Sequence, residues 1–275
     1  MHKFKKVGTP FLDDKSLPSA DFETSGELAG DAASMVMKLL WLARMTRKDL
    51  LRQTNLFASM VSKWSVACDK MLERYMFYLY HTLDHAEEMT VSDTCDNWEL
   101  HLYQDADHAG CTFTKRSTSG IYIEIASSQH TSNFSGTHAP ISGRSEKQSS
   151  TATSTPEAEL IAAKTAIQNT GIPILDLLEG MLGRTVALKS FEDNDTAILD
   201  IKNGYSPKMR HLKRIHNVSL TRLHECYHGD HRVGEMLRKD SSEMRADIFT
   251  KGFTEFPKWQ HALSLINIRP PLSKR

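Results

Sequence analysis

The sequence of 275 residues predicts an α/β fold, in which a small helical connector precedes a mixed five-stranded sheet with helices on both faces. Two observations predict this class. The spacing of apolar residues changes near residue 98 from a helical period to the alternation typical of strands. After that point the segments follow the order of three strands, helix, strand, helix, strand and helix, if an interrupted helix is counted once.

The residues before 98 predict helices. The stretch ELAGDAASMVMKLLWLARMTR places Met35, Leu39 and Leu42 near one helix face, and KDLLRQTNLFASMVSKW and CDKMLERYMFYLYHTL continue with a similar period. We therefore expect three helices, packed on one another, in a connector over residues 27–97. Residues 1–26 lack the apolar core of a signal peptide and predict a poorly ordered lead-in, and residues 269–275 predict a tail.

Three strands follow the connector. WELHLYQDAD alternates leucines with polar residues, and SGIYIEIAS alternates Ile121, Ile123 and Ile125 in a segment rich in β-branched residues. GTHAPISGRSEKQ is a weaker third strand, and the polar stretch SSQHTSNF before it predicts a loop. The fairly short connections predict an antiparallel meander.

Helices and strands alternate in the rest of the chain. TPEAELIAAKTAIQ predicts a helix with Thr155 as N-cap and Pro156 at the first helical position, and ILDLLEGML continues it to Gly183. TVALKSFED predicts the fourth strand and TAILDIKNG a short helix. We expect a basic helix from about Lys208 to His228, RVGEMLRK as the last strand, and SEMRADIFTKGF as the opening of the final helix.

The distribution of charge is uneven, although the totals balance. Lys plus Arg and Asp plus Glu number 34 each, so the overall charge predicts no nucleic-acid partner. No acidic residue occurs from Ile201 to His224, a stretch that contains Lys202, Lys208, Arg210, Lys213, Arg214 and Arg222. This block predicts either contact with a polyanion or a solvated helix face.

The cysteines and the hydropathy indicate the compartment. Cys68, Cys95, Cys111 and Cys226 are scattered without a C-x-x-C pair, which predicts reduced thiols in an intracellular protein. No apolar run reaches the roughly 18 residues that a membrane span needs. We therefore expect no membrane contact.

Four carboxylates lie near the ends of the predicted elements. Asp105 ends the first strand, Glu159 lies one turn inside the first helix, Asp193 ends the fourth strand, and Asp247 starts the final helix. They converge on one edge of the sheet if the first and fourth strands are neighbours. Because like charges repel at a few Å, this group requires cations, and ligands that are all oxygen favour Mg²⁺ or Mn²⁺. Two such ions about 4 Å apart are suited to in-line attack on a phosphodiester.

Several motifs carry a family resemblance. DADHAG, RSTSGIYI, PISGRSEKQ, STPEAELIAA, EDNDTAI and ADIFTK resemble, in this order, the ribonuclease H domain of copia-type LTR-retrotransposon Pol polyproteins. LLWLARMTRKDLL resembles the segment between polymerase and ribonuclease H in those polyproteins, so the resemblance covers nearly all of residues 30–268. It implies a connector derived from reverse transcriptase and a ribonuclease H-like domain over residues 98–268, with residues 127–138 as an insertion.

The resemblance also implies an activity and its residues. The expected reaction is hydrolysis of the RNA strand of an RNA–DNA hybrid with two Mg²⁺ ions, for which Mn²⁺ is a possible substitute. The four residues matched to the catalytic metal ligands are Asp105, Glu159, Asp193 and Asp247. Asp107 matches a residue that shapes the turn. The implied partners are the hybrid and the polymerase part of the same polyprotein, in a cytoplasmic particle or the nucleus.

Further polar residues are candidate contacts with the hybrid. Gln148 and Asn194 are candidates for its backbone or 2′-hydroxyls, and ordinary surface polarity is the alternative for both. Lys208, Arg210, Lys213 and Arg214 are candidates for contact with its phosphates.

The resemblance also selects one of two neighbouring glutamates. Glu157 and Glu159 lie about 200° apart on a helix, so only one of them can face the metals. The family match chooses Glu159. Glu157→Gln is therefore predicted to be nearly silent.

Two alternatives to the nuclease remain open. One is a catalytically decayed, nucleic-acid-binding remnant of a retroelement. The other is a zinc metalloprotease, because HECYH (His224–His228) is a literal H-E-x-x-H motif, with Glu225 as general base and His231 as a possible third ligand. Gly229 follows this motif at once, which places it at a helix end and disfavours the protease.

Overall fold

The chain forms two compact units. A computed structural model describes residues 5–13, 16–110, 116–128, 136–230 and 232–271. The first unit comprises Met1–Glu87 and Lys251–Arg275, and the second comprises Glu88–Thr250. The predicted domain limits differ from this division, because they began the second domain at residue 98 and extended it to residue 268.

The helices and strands have the following bounds. The helices are α1 (Ser19–Glu23), α2 (Ala32–Met45), α3 (Leu51–Met60), α4 (Val66–His81), α5 (Thr155–Ala166), α6 (Ile172–Leu182), α7 (Asp195–Asn203), α8 (Leu212–Ile215), α9 (Leu220–His228) and α10 (Phe256–Leu265). The strands are β1 (Ala86–Glu87), β2 (Trp98–Asp107), β3 (Thr118–Ser127), β4 (His138–Lys147), β5 (Leu188–Glu192), β6 (Glu235–Arg238) and β7 (Ile268–Arg269). A π turn at Ile167–Gly171 joins α5 to α6, and 3₁₀ turns include Pro207–Met209 and Arg245–Phe249.

The first unit is a helical core completed by the end of the chain. The three helices predicted before residue 98 are α2, α3 and α4, and β1 pairs antiparallel with β7. Trp259 of α10 is fully buried, and the rings of Phe11 and Tyr78 meet it edge-on at centroid distances of 5.4 and 5.9 Å. Phe11, in the predicted lead-in, is thus part of this core.

The second unit is built on a mixed five-stranded sheet in the order β4-β3-β2-β5-β6. Strands β2, β3 and β4 form the predicted antiparallel meander, and β5 runs parallel to both β2 and β6. The first and fourth predicted strands are therefore neighbours. The predicted α/β class, a mixed five-stranded sheet with helices around it, is confirmed.

The two faces of the sheet have different partners. Leu100, Leu102, Ile121 and Ile123 pack with residues of α5, α6, α7 and α9 in one apolar core. On the other face, the ring of Tyr122 stacks on Phe249 of the 3₁₀ turn Arg245–Phe249, at an angle of 18°. Strand alternation places Asp105 on the same side of β2 as Tyr103, which is the face that meets this turn.

Several local predictions need correction. Ser154, not Thr155, is the N-cap of α5, and its hydroxyl accepts a hydrogen bond from the Glu157 amide. The basic helix is not continuous. Pro207–Met209 and the four-residue α8 precede α9, and Asn217 between α8 and α9 adopts a φ of 53° that a helix cannot contain. Most of the predicted SSQHTSNF loop, residues 129–134 of 127–134, lies outside the described residues.

The predictions about cysteines and membrane spans can be compared with the described residues. Cys68, Cys95 and Cys226 are free thiols, and Cys111 lies outside the described residues. None of the helices in the described ranges has the length and apolar character required to cross a membrane.

Candidate metal centre

Three carboxylates converge where β2 and β5 end. Asp105, Glu159 and Asp193 each offer a carboxylate oxygen, and these oxygens all lie within 4.8 Å of one another. Asp105 and Glu159 are buried, at 2% and 3% exposure, while Asp193 is partly exposed. This arrangement gives a compact set of oxygen ligands with one side open to solvent.

The parallel pairing of β2 and β5 brings two of these residues together. Tyr103 of β2 lies opposite Phe191 of β5, and the carboxylate-bearing residues Asp105 and Asp193 follow each of them by two positions. The side chain of Asp193 accepts a hydrogen bond from the Ser241 hydroxyl. The sequence predicted this convergence on the condition that the first and fourth strands are neighbours, as β2 and β5 are.

Helix α5 supplies the third carboxylate. Pro156 near its N-terminus and the Ser154 cap fix where the helix begins. Leu160 and Ala163 pack in the core, so the helix is fixed in rotation about its axis. Glu159 lies in the second turn of this helix, so the cap and the core packing together set its position.

Asp247 is placed differently from the prediction. It lies in the 3₁₀ turn Arg245–Phe249 rather than at the start of the final helix, which is α10. Among the described residues, the group of three converging ligands does not include it. The turn nevertheless comes close to Asp105, because the Thr250 hydroxyl, just after it, donates to Asp105 Oδ2.

Gly120 permits this close approach. It lies directly opposite Asp105 in the β2–β3 pairing. A Cβ at Gly120 would lie 2.6 Å from the Ala246 carbonyl oxygen and 2.7 Å from the Thr250 methyl group. Only glycine lets the turn that carries Asp247 pack this tightly on the strand beside Asp105.

The electrostatic environment at this edge is strongly negative. Glu192, next to Asp193, is fully buried, and its Oε1 accepts a hydrogen bond from the Asn194 amide at 3.1 Å. Burial raises the pKa of Glu192 well above its ordinary value, and the negative charges of Asp193 and Asp105 raise it further. A cation is the group that offsets such a cluster of like charges.

The donor set agrees with the divalent ion expected from the sequence. Carboxylate oxygens that converge within 4.8 Å are hard ligands of the kind that Mg²⁺ and Mn²⁺ prefer. Asp105 and Glu159 are buried on rigid elements, which holds their oxygens in place for an ion.

The other polar candidates take structural roles. Gln148 is buried rather than at the surface, and its amide nitrogen donates to Ser119 Oγ and to the Ala158 carbonyl, both at 2.9 Å. Both amide hydrogens of Gln148 are therefore engaged within the protein and are not free for the predicted contact with the hybrid. Asn194 caps α7 by accepting hydrogen bonds from two amides at 3.0 Å. A Cβ at Gly110 would overlap the Asp107 carboxylate, in line with a role for Asp107 in the turn.

The four candidate phosphate contacts lie outside the core. Lys208, Arg210, Lys213 and Arg214 are exposed, while Met209 and Leu212 between them are buried. The guanidinium group of Arg210 lies over the ring of Tyr205 and donates a hydrogen bond to its hydroxyl at 2.8 Å. We call residues 207–216, which contain these four side chains, the basic segment.

Glu157 is the residue that the sequence placed least well. It is fully buried and accepts hydrogen bonds from Thr153 and His211, while His216 Nε2 lies 2.7 Å from its Oε1. Burial alone would raise the pKa of Glu157, but the hydrogen bonds from Thr153 and His211 lower it below its ordinary value. This environment contradicts the basis for predicting that Glu157→Gln is silent, which assumed that a glutamate turned away from the metals has no other role.

The protease motif brings His224 and His228 together within the described residues. His224 and His228 lie on the nine-residue α9 with their ring centroids 5.2 Å apart, and His224 Nδ1 lies 3.2 Å from the Ile201 carbonyl oxygen. His231 lies outside the described residues. Within the described ranges, no third histidine, cysteine or carboxylate joins them.

Sequence reasoning missed Gly120, Thr250 and the partners of Glu157. A glycine inside the β-branched run SGIYIEIAS was a usable signal, because glycine in a strand interior often marks a close approach of another backbone. Thr250, three residues after Asp247, carried no comparable signal.

Comparison of the sequence with protein-family models and with curated proteins gives no match. Among solved structures, the chain is similar to LC11-RNase H1, isolated from compost by a metagenomic approach. The two share 14% identity over 55% of this chain and 92% of the other, with a TM-score of 0.34. A likeness this low carries no argument, so the sheet order and the carboxylates carry the proposal below.

Proposed function

We propose that the second unit is a metal-dependent endonuclease that hydrolyses the RNA strand of RNA–DNA hybrids. The observation that supports it is the convergence of Asp105, Glu159 and Asp193 at the edge where β2 and β5 end. Three carboxylates of this kind, two of them buried, are typical of sites that bind divalent cations for phosphoryl chemistry.

The residues take distinct roles in this proposal. Asp105, Glu159 and Asp193 hold the ions, and Asp247 joins them from its turn. When bound, two Mg²⁺ ions supply the charge that activates a water molecule and stabilises the departing 3′-oxygen. Water adds to phosphorus as the bond to the 3′-oxygen breaks, which leaves a 5′-phosphate on one fragment and a 3′-hydroxyl on the other.

The proposed context is a Pol polyprotein of a copia-type LTR retrotransposon, or a fragment of one. The motifs from DADHAG to ADIFTK support this context. The order of strands in the sheet is consistent with them. The proposed partners are the RNA–DNA hybrid, gripped through the basic segment, and the polymerase part of the same polyprotein.

The test is cleavage of an end-labelled RNA–DNA hybrid by the purified chain. We expect cleavage of the RNA strand in Mg²⁺ or Mn²⁺ and none in EDTA, with the same RNA left intact when single-stranded. The products should carry 3′-hydroxyls and 5′-phosphates.

The possible outcomes separate the candidates. Hybrid binding without cleavage in either metal would contradict the enzyme and leave a nucleic-acid-binding remnant. Cleavage that persists in EDTA would contradict the role of the carboxylates as metal ligands.

A further inference from the structure

Glu157 lies at the centre of a buried hydrogen-bond network that the proposed chemistry does not use. Its Oε2 accepts from the Thr153 amide at 2.8 Å. Its Oε1 lies 3.0 Å from His211 Nε2 and 2.7 Å from His216 Nε2. Because a carboxylate only accepts, His211 donates to this oxygen, and His216 lies within ion-pair distance of the same oxygen.

The network continues beyond the two histidines. His216 is nearly fully buried, at 2% side-chain exposure, and its Nδ1 lies 2.6 Å from Ser150 Oγ. Ser150 and Thr153 belong to the chain between β4 and α5, whereas His211 and His216 flank α8. One carboxylate thus connects the start of α5 to both ends of a four-residue helix.

The basic segment needs external contacts to keep its shape. It consists of the turn Pro207–Met209 and the four-residue α8, and helices this short are not stable by themselves. Met209 and Leu212 attach its apolar side to the core. Its polar side is attached by Arg210 to Tyr205 and, through His211 and His216, to Glu157.

We infer that Glu157 is a positioning residue that fastens the basic segment to the helix carrying Glu159. Two residues of one helix turn then serve two purposes, because Glu159 faces the metal site while Glu157 orients the segment that grips the phosphates. The part of this inference that concerns nucleic acid rests on the proposed function. The fastening itself concerns only this chain.

Glu157→Gln is the informative variant, because two explanations predict opposite signs. Removal of a negative charge near a basic surface should by itself strengthen binding to a polyanion. Loss of the fastening should weaken it, because the glutamine amide group would turn a donor toward groups that donate. Glu225→Gln removes the same charge from an exposed position on α9 and serves as the matched control.

The first measurement is hydrogen exchange of the backbone amides, without nucleic acid. The amides of Arg214, Ile215 and His216 donate to carbonyls of His211 and Leu212, so their protection reports the order of α8. In Glu157→Gln we expect these amides to exchange at least roughly tenfold faster than in the parent. In Glu225→Gln we expect the exchange rates of the parent. Parent rates in Glu157→Gln would overturn the inference.

The second measurement is hybrid binding in Ca²⁺ over a salt titration. We expect Glu157→Gln to bind about tenfold more weakly and to lower the slope of log K against log salt by about one or two units, since each lost phosphate contact lowers it by about 0.9. Glu225→Gln should bind at least as well as the parent. Tighter binding by Glu157→Gln, with the parent's slope, would mean that only its charge matters.

A milder variant guards against misfolding. His211 is about one-third exposed, so His211→Ala loses one arm of the network and leaves no buried void. It should increase amide exchange in α8 in the same direction, with an unchanged melting temperature. If both variants exchange like the parent, the fastening role is wrong.

Failure of this inference and failure of the proposed function are distinguishable. A parent chain that binds hybrid but does not cut it contradicts the enzyme and leaves both measurements above valid. In a parent that cuts, Glu157→Gln should raise KM with little change in kcat, whereas a merely destabilised metal site would lower kcat.

Discussion

At the residue scale, the candidate site depends on a few side chains whose neighbours are as informative as the ligands themselves. Asp105 accepts from Thr250 and lies opposite Gly120, while Asp193 accepts from Ser241. These contacts orient carboxylates before any ion arrives. Preorganisation of this kind holds the side chains of a site in the geometry that the site needs.

Asp193→Asn tests the ligand assignment directly. The change keeps the size of the side chain but removes a negative charge from the metal set, so we expect hybrid cleavage to fall by at least about a hundredfold, which corresponds to about 2.7 kcal/mol in activation free energy. Single-turnover cleavage in Mg²⁺ measures it. Parent-like rates in the purified variant would show that Asp193 is not a ligand.

Gly120→Ala tests the close approach of the turn that carries Asp247. The added methyl group would meet the Ala246 carbonyl at 2.6 Å, so the turn must shift, at a cost of about 1–3 kcal/mol in unfolding free energy. Because a displacement near 1 Å can cost up to about a hundredfold in rate, we expect cleavage to fall at least about tenfold. Thermal denaturation and hybrid cleavage measure the two effects.

Gly180→Ala is the control for that experiment. Gly180 lies in α6, where a Cβ has no atom within 4 Å. Alanine there should raise the unfolding free energy by about 0.4–1 kcal/mol and leave cleavage unchanged. If Gly120→Ala behaved in the same way, the turn would not need the space that glycine provides.

At the element scale, the basic segment is a short structure that core packing holds in place. Its buried residues Met209 and Leu212 alternate with the exposed cations, so the core fixes one side while the other faces solvent. The sequence predicted one long basic helix, and the structure instead has short turns ending at Asn217, with its φ of 53°.

A double substitution tests the grip of this segment. Lys213→Ala with Arg214→Ala should weaken hybrid binding and lower the salt slope by roughly one to two units, because each phosphate contact contributes about 0.9. Salt titrations in Ca²⁺ measure this without turnover. The control is Lys38→Ala with Lys63→Ala, which removes two exposed cations from the first unit. Coincident titrations of the two double variants would show that charge alone, and not the segment, determines binding.

At the scale of the whole molecule, local pattern predicted the sheet well, whereas contacts distant in sequence escaped it. Alternation in WELHLYQDAD and SGIYIEIAS set the strands, and parallel pairing of β2 with β5 brought Asp105 to Asp193. The 3₁₀ turn around Asp247 and the burial of Glu157 depend on partners far along the chain, such as Gly120 and His216. Single-sequence periodicity carries no information about such partners.

Trp259 tests the division into two units. It is fully buried among Phe11 and Tyr78 in the first unit, although it lies near the end of the chain. Trp259→Ala should lower the unfolding free energy of the first unit by about 3–5 kcal/mol. Denaturant unfolding followed by far-UV circular dichroism measures this loss. An unfolding midpoint equal to that of the parent would contradict the role of α10 in this core.

The return of residues 251–275 to the first unit has a consequence for synthesis on the ribosome. The helices α2, α3 and α4 emerge first, but Trp259 emerges only after the roughly 160 residues of the second unit, on the order of ten seconds later at about 5–20 residues per second. The second unit is therefore fully translated before the first, which reverses the usual N-to-C order of domain completion. During that interval the rings of Phe11 and Tyr78 lack their indole partner, and chaperones have their clearest access to this chain.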